Sequence, residues 1–292
     1  MHIVFKILIL NISCIGLLML IIHTMFTVKT VHKVHIMQLI TFANRKGGVS
    51  KTTSAWAVAQ CLAHAGERVL LVDCDPQRNL TMCLPPVSPD KNLAQVADGS
   101  AQLIDVMQPV GERLWLVPAT DQLTAAEKVL GADMAYPLLF KNGLAGLADK
   151  VDYVIFDTSP SPHSPLALAA MTASNVIFIP VQPEYFAYEG LQSLLDIIDR
   201  IKKNYNPGLR VGGVFLTKYA ATYRRSLHHQ FVDMMKSHPS LGERVLQTTI
   251  RENVAVAEAQ VQRMSLYDWS PQSNALKDYE ALTEEITGIL SA

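Results

Sequence analysis

Short unbroken apolar runs recur along this chain, separated by longer stretches in which apolar residues return every three or four positions. Runs of the first kind read as strands buried on both faces, and stretches of the second kind read as helices with one buried stripe. On this basis Leu39 to Ala43, Arg68 to Val72, Leu114 to Val117, Val151 to Asp157, Asn175 to Pro180, Val211 to Thr217 and Val245 to Ile250 are predicted strands. Helices are predicted from Lys51-Thr52-Thr53 to His64, over Leu123 to Leu130, Leu138 to Ala148, Leu191 to Lys203 and Asn274 to Leu290, with short ones between Leu93 and Val106. Gly66 is placed to stop the first, and Arg224-Arg225 open a further one that carries His228 and His229. Strands that alternate with helices predict an α/β fold: a doubly wound, mostly parallel sheet flanked by helices.

Composition changes this picture at one end. The chain has 292 residues and 49% hydrophobic content, inflated by the first 36 residues. Ile7 to Val28 contains no Lys, Arg, Asp or Glu, and a helix needs about 20 apolar residues to span a membrane. Lys29 and Lys33 follow it and would place the rest on the cytoplasmic side. Three readings stay open for residues 1–36: a membrane anchor, a buried or disordered extension, or translated upstream sequence ahead of a true start at Met37. No small-residue cleavage site marks a signal peptide. The expected organisation is this extension followed by one α/β domain over 37–292.

Cys14, Cys61, Cys74 and Cys83 show no paired metal spacing and read as ordinary reduced thiols, with Cys61 in a helix and Cys74 in a loop. Charge is uneven. Residues 200–263 hold 11 Lys/Arg against 4 Asp/Glu, and the remainder 14 against 22. A basic stretch on an otherwise acidic chain is what a polyanion-binding face requires.

The chemistry starts at the first strand. It is followed by Asn44-Arg45-Lys46-Gly47-Gly48-Val49-Ser50-Lys51-Thr52-Thr53. Gly47 and Gly48 allow a tight turn, and the loop ends on a helix N-terminus. Unpaired amides and the helix dipole both favour a phosphate there. Lys51 would neutralise β/γ-phosphate charge and the Thr52 hydroxyl would ligate Mg²⁺. The plain phosphate-loop pattern has glycine where this chain has Arg45 and Ser50, and it lacks a lysine at the place of Lys46. Two later strands also end in carboxylates, at Asp73-Cys74-Asp75-Pro76 and at Asp157. Ligands of doubly wound sheets bind at the carboxyl ends of strands, so all three acids are expected to face the phosphate site.

The stretch Lys46-Gly-Gly-Val-Ser-Lys-Thr-Thr resembles the deviant Walker A motif of the ParA/MinD ATPases. Asp73-Cys-Asp75-Pro resembles their switch I, Asp157-Thr-Ser-Pro their Walker B and switch II, and Gln182-Pro-Glu-Tyr-Phe the segment that follows. The likeness covers about residues 37–290. Arg78 stands where that family usually has glycine, Ser159-Pro160 where Pro-Pro is common, and Ile250 where a proline precedes Arg251. The resemblance implies an ATPase that uses ATP and Mg²⁺. Gly47, Gly48, Val49, Ser50, Lys51, Thr52 and Thr53 would cradle the nucleotide, and Thr52 and Asp157 would hold the metal. Asp75 would position the attacking water, and Lys46 would reach across an ATP-dependent homodimer to the partner's phosphates. It further implies partition of DNA, with non-specific DNA contacts near Arg224, Arg225 and Arg251 and a ParB-like centromere-binding partner that stimulates hydrolysis. The protein would then be cytoplasmic and associated with the nucleoid. The alternative keeps the chemistry but makes the chain a membrane-anchored positioning ATPase that does not act on DNA. The acidic last helix, with Glu280, Glu284 and Glu285, argues against the basic membrane-surface helix of the MinD kind.

Overall fold

Hydrophobic runs that face apolar neighbours on both sides can only be satisfied in the middle layer of a three-layer domain. The computed structural model, which describes residues 36–161, 163–184, 187–220, 222, 226–237 and 241–292, has that architecture. The strands are β1 (Gln38–Phe42), β2 (Val69–Cys74), β3 (Gln108–Gly111), β4 (Leu114–Val117), β5 (Tyr153–Thr158), β6 (Val176–Val181), β7 (Arg210–Thr217) and β8 (Val245–Ile250). They form one sheet in the order β3-β4-β2-β5-β1-β6-β7-β8, parallel throughout except for the β3–β4 pair. The main helices are α1 (Lys51–His64), α2 (Leu123–Leu130), α3 (Pro165–Ala173), α4 (Ala187–Asn204), α5 (Ser226–Lys236), α6 (Val254–Gln262) and α7 (Asn274–Ser291). Residues 37–292 are one compact unit.

Successive strand residues serve opposite faces. Val69 and Leu71 join one core with Trp56 of α1 and Tyr279 of α7, while Leu70 and Val72 join another with Leu123 and Leu166. Beyond β1, Ile177 and Ile179 pack with Leu191, Leu194 and Ile198 of α4 in a third core. Helix α1 is apolar nearly all round, with Ala55, Trp56, Ala57, Val58 and Ala59 buried, because it lies between the sheet and α7.

Differences from the sequence pattern have physical causes. The strand β3 was not expected; it is a short antiparallel edge with a bulge between Pro109 and Gly111. Leu138 to Ala148 is not one helix but a helical turn at Tyr136–Leu138, a helix at Leu139–Gly143 and a second turn at Ala145–Leu147, broken where glycines fall. Cys74 is not in a loop: it is the buried last residue of β2. Helix α3, capped by the Ser164 side chain on Ala167 N, was also unforeseen. Of the acids of α7, Glu284 is exposed, whereas Asp278 is buried and Glu285 is half-buried. Glu285 accepts the N–H groups of Gln247 (2.8 Å) and Thr248 (3.0 Å), which blocks the open edge of β8. Among the described residues no helix is long and apolar enough to cross a membrane. The candidate span 7–28, like Arg224 and Arg225, lies outside the described residues.

Candidate functional site

The loop after β1 becomes a phosphate cradle because its backbone cannot continue as strand or helix. Gly48 and Ser50 both take positive φ, at +75° and +67°. Ser50 is the N-cap of α1, yet its side chain makes no capping bond, and no acid sits in the first turn. The first amides of α1 are therefore open to an anion. Thr217 Oγ1, at the end of β7, donates to Val49 O at 3.2 Å and fixes the loop from behind. Asn44 bridges Lys46 N (2.9 Å) to Pro180 O (2.7 Å) and anchors its entrance.

A cleft of about 780 Å³ opens above this loop. Gly47, Gly48, Ser50, Lys51, Thr52 and Thr53 form its floor, and Asp75 and Gln77 one wall. Its far wall, with Lys218, Ala257, Gln260, Val261 and Arg263, comes from the end of β7 and from α6. No motif in the sequence marks the α6 residues. Lys218 and Arg263 have positive φ, +52° and +56°, and no pattern in the sequence announces that. A second cleft of the same volume lies by His64, Arg113 and Tyr267, at the other end of α1. It has no glycine loop at the start of a long helix, and neither Asp75 nor Asp157 lines it.

The three acids divide the work. Asp73 is buried and is spent on structure: Oδ2 accepts Thr81 N (2.8 Å) and Thr81 Oγ1 (2.6 Å), and Oδ1 accepts Asp75 N (3.2 Å). It does not line the cleft, which corrects the expectation that it faces the phosphates. Asp75 does line it, and its Oδ1 accepts Gln77 N at 2.9 Å. Asp157, the residue before the last of β5, lies directly beside Asp73 in β2 and Phe42 in β1. It is fully buried, and no donor meets either of its oxygens in good hydrogen-bond geometry. Burial pushes its carboxyl up to about 8, and Asp73 adds to the effect, while Thr52 and Lys51 pull it back. Burial likewise raises Asp73, to about 6. Burial lowers the Lys51 ammonium, against the attraction of Asp157 and Asp75.

An orphaned buried carboxylate beside a threonine hydroxyl, under a phosphate loop, is a donor set that fits a magnesium ion. Thr52 and Asp157 are the residues that would hold it. Among the described residues there is no cluster of three or more His, Cys, Asp or Glu side chains.

Residues 37–211 match the family model described as an AAA domain. Over 252 residues the chain is 34% identical to the sporulation initiation inhibitor protein Soj of Bacillus subtilis, covering 85% of this chain and 98% of that protein. The chain belongs to the ParA/Soj family of ATPases. It is also 35% identical, over 228 residues, to the chromosome partitioning protein ParA of Caulobacter vibrioides, covering 76% of this chain and 84% of that one. Among solved structures it resembles cobyrinic acid a,c-diamide synthase of Mycobacterium smegmatis with a bound ATP analog and magnesium. That match has a TM-score of 0.75 and 27% identity, and covers 88% of this chain and 97% of that one.

The remaining ParA-type positions are placed as follows. Lys46 Nζ is ion-paired with Glu184, and Lys51 Nζ donates to Lys46 O at 3.1 Å. Arg251 is bound to Asp278 of α7, which accepts its backbone N–H (3.0 Å), Nε (3.0 Å) and Nη2 (2.6 Å). Its position at the end of β8 is thus tied into the fold as well as lying in the basic stretch. Tyr219 Oη lies 3.2 Å from His229 Nδ1.

Proposed function

We propose that this chain is an ATP-dependent DNA-partitioning ATPase that hydrolyses ATP in the cleft above α1. The observation that carries the reading is the buried, unpartnered Asp157 carboxylate beneath the loop that holds Lys51 and Thr52. Such a group is costly without a cation, and a magnesium–nucleotide complex supplies one. Thr52 and Asp157 would hold the magnesium, which would supply positive charge against the charge that develops on the transferring group. The open amides at Lys51, Thr52 and Thr53 bind the phosphates. Lys51 adds positive charge at the γ-position. Asp75, at the cleft wall, orients the attacking water.

In this reading two ATP-bound subunits meet face to face and Lys46 of each reaches the other's phosphates. The dimer binds DNA without sequence preference through the basic stretch that contains Arg224, Arg225 and Arg251. A ParB-like centromere-binding protein stimulates hydrolysis and releases it. The protein works in the cytoplasm on nucleoid DNA, and residues 37–292 are the ATPase domain.

The test is steady-state ATP hydrolysis by Lys51→Ala with magnesium present. Loss of a charge-stabilising donor costs about 10²- to 10³-fold in rate. A variant that hydrolyses ATP as the wild type does would refute the site.

A further inference from the structure

Lys46 is held from three sides inside its own subunit. Its side chain pairs with Glu184, its N–H donates to Asn44 Oδ1 (2.9 Å), and its carbonyl accepts from Lys51 Nζ (3.1 Å). The neighbouring Arg45 is bound through Nη1 to Ser193 Oγ of α4. Two consecutive loop residues are therefore clamped to the segment that runs from the end of β6 into α4. The grips differ in kind. The Asn44 bond belongs to the frame, because the same side chain is anchored on Pro180 O at 2.7 Å. The Lys51 bond uses the one ammonium that must turn to a phosphate when nucleotide enters. The Glu184 pair is half-exposed, with side chains 33% and 44% accessible, so it is weak and easily reversed.

We propose that Glu184 is a latch that keeps Lys46 in its own subunit, and that phosphate capture by Lys51 loosens it. Lys51 leaves the Lys46 carbonyl for the phosphate, the turn that carries Lys46 loses one of its three restraints, and the Lys46–Glu184 pair opens. Glu184 is thus a positioning residue: it touches no reacting atom but sets how readily Lys46 is presented. The inference rests on the reading above in which Lys46 crosses to a second subunit.

The experiment is the monomer–dimer equilibrium of the full chain, measured by analytical ultracentrifugation with a non-hydrolysable ATP analogue and magnesium. Wild type is compared with Glu184→Gln, Glu184→Asp and Lys46→Ala. Removing the carboxylate, or shortening it so that it no longer reaches, is expected to tighten dimerisation by about two- to five-fold at low salt. The gain should shrink at high salt as the pair is screened in the wild type. Unchanged or weaker dimerisation in the two Glu184 variants, with melting temperatures like the wild type's, would overturn the latch. If Glu184→Gln fails to fold, Glu184→Asp decides alone. Lys46→Ala separates the two claims. If it dimerises like wild type, the crossing reading falls and the latch with it. If it stays monomeric while the Glu184 variants match wild type, only the latch falls.

Discussion

Ser50 and Arg78 adopt the same left-handed backbone conformation, φ +67° and +61°, at two bends around one cleft. Ser50 caps α1 on its floor, and Arg78 lies between Gln77 and Asn79, which line its wall. The plain phosphate-loop pattern carries glycine at the place of Ser50. The backbone has kept the conformation that glycine favours and accepts the cost of a side chain there. Lys218 and Arg263 hold left-handed conformations on the same cleft. Strain gathered at a binding site in this way is a mark of function.

Replacing Ser50 by glycine removes about 1–2 kcal/mol of left-handed strain and adds about 0.5–1 kcal/mol of unfolded-chain entropy. Ser50→Gly should therefore stabilise the fold by about 0.5–1 kcal/mol, read as a higher midpoint in thermal melting. Arg78→Gly gains the same relief but loses the exposed ion pair with Asp121 (2.9 Å), which is worth little. Its expected change is a smaller gain than that of Ser50→Gly. A lower melting point for Ser50→Gly would show that the side chain is needed where no bond to it is seen.

Asp278 binds Arg251 at both backbone and side chain, and is itself only 10% exposed. Asp278→Ala should cost roughly 1–3 kcal/mol, since it strands a charged hydrogen-bond network at the junction of β8 and α7. Arg251→Glu sets two carboxylates together and should also lower stability. Urea denaturation measures both. Any loss of DNA affinity in Arg251→Glu counts against a DNA contact unless it exceeds what the unfolded fraction explains.

The buried acids make the nucleotide-free protein sensitive to pH. Asp157 and Asp73 are raised in the fold, to about 8 and about 6, from about 3.9 in the unfolded chain. The folded state therefore binds more protons between those values, and stability falls as pH rises from about 4 to 8. Measured in a chelator without nucleotide, the melting temperature should decline across that window. The decline should be shallower in Asp157→Asn, where one of the two groups no longer titrates. An equal slope in the variant would show that Asp157 is not the group responsible.

Most of the architecture was legible because parallel strands buried on both faces leave unmistakable apolar runs: β4 and β8 fall where the pattern put them, and the others within two residues. The edge strand β3 was not, because Pro109 and a bulge hide its pattern. The cleft floor and Asp75 could be read from local sequence, since a loop, a helix start and a strand end each carry their own chemistry. The far wall could not. Gln260 and Arg263 lie more than two hundred residues from Lys51, and only the order β1-β6-β7-β8 brings α6 back over the loop. Asp73 misled for a related reason. Its place at a strand end suggested a ligand, whereas the Thr81 amide and hydroxyl, eight residues on, had already claimed it.

DNA binding by the full chain with ATP, with ADP and without nucleotide, at about 50 mM and about 200 mM salt, tests the central claim most directly. Binding should require ATP, ignore sequence, and weaken steeply at the higher salt. Binding that does not depend on nucleotide, or none at all while ATP is hydrolysed normally, would contradict it.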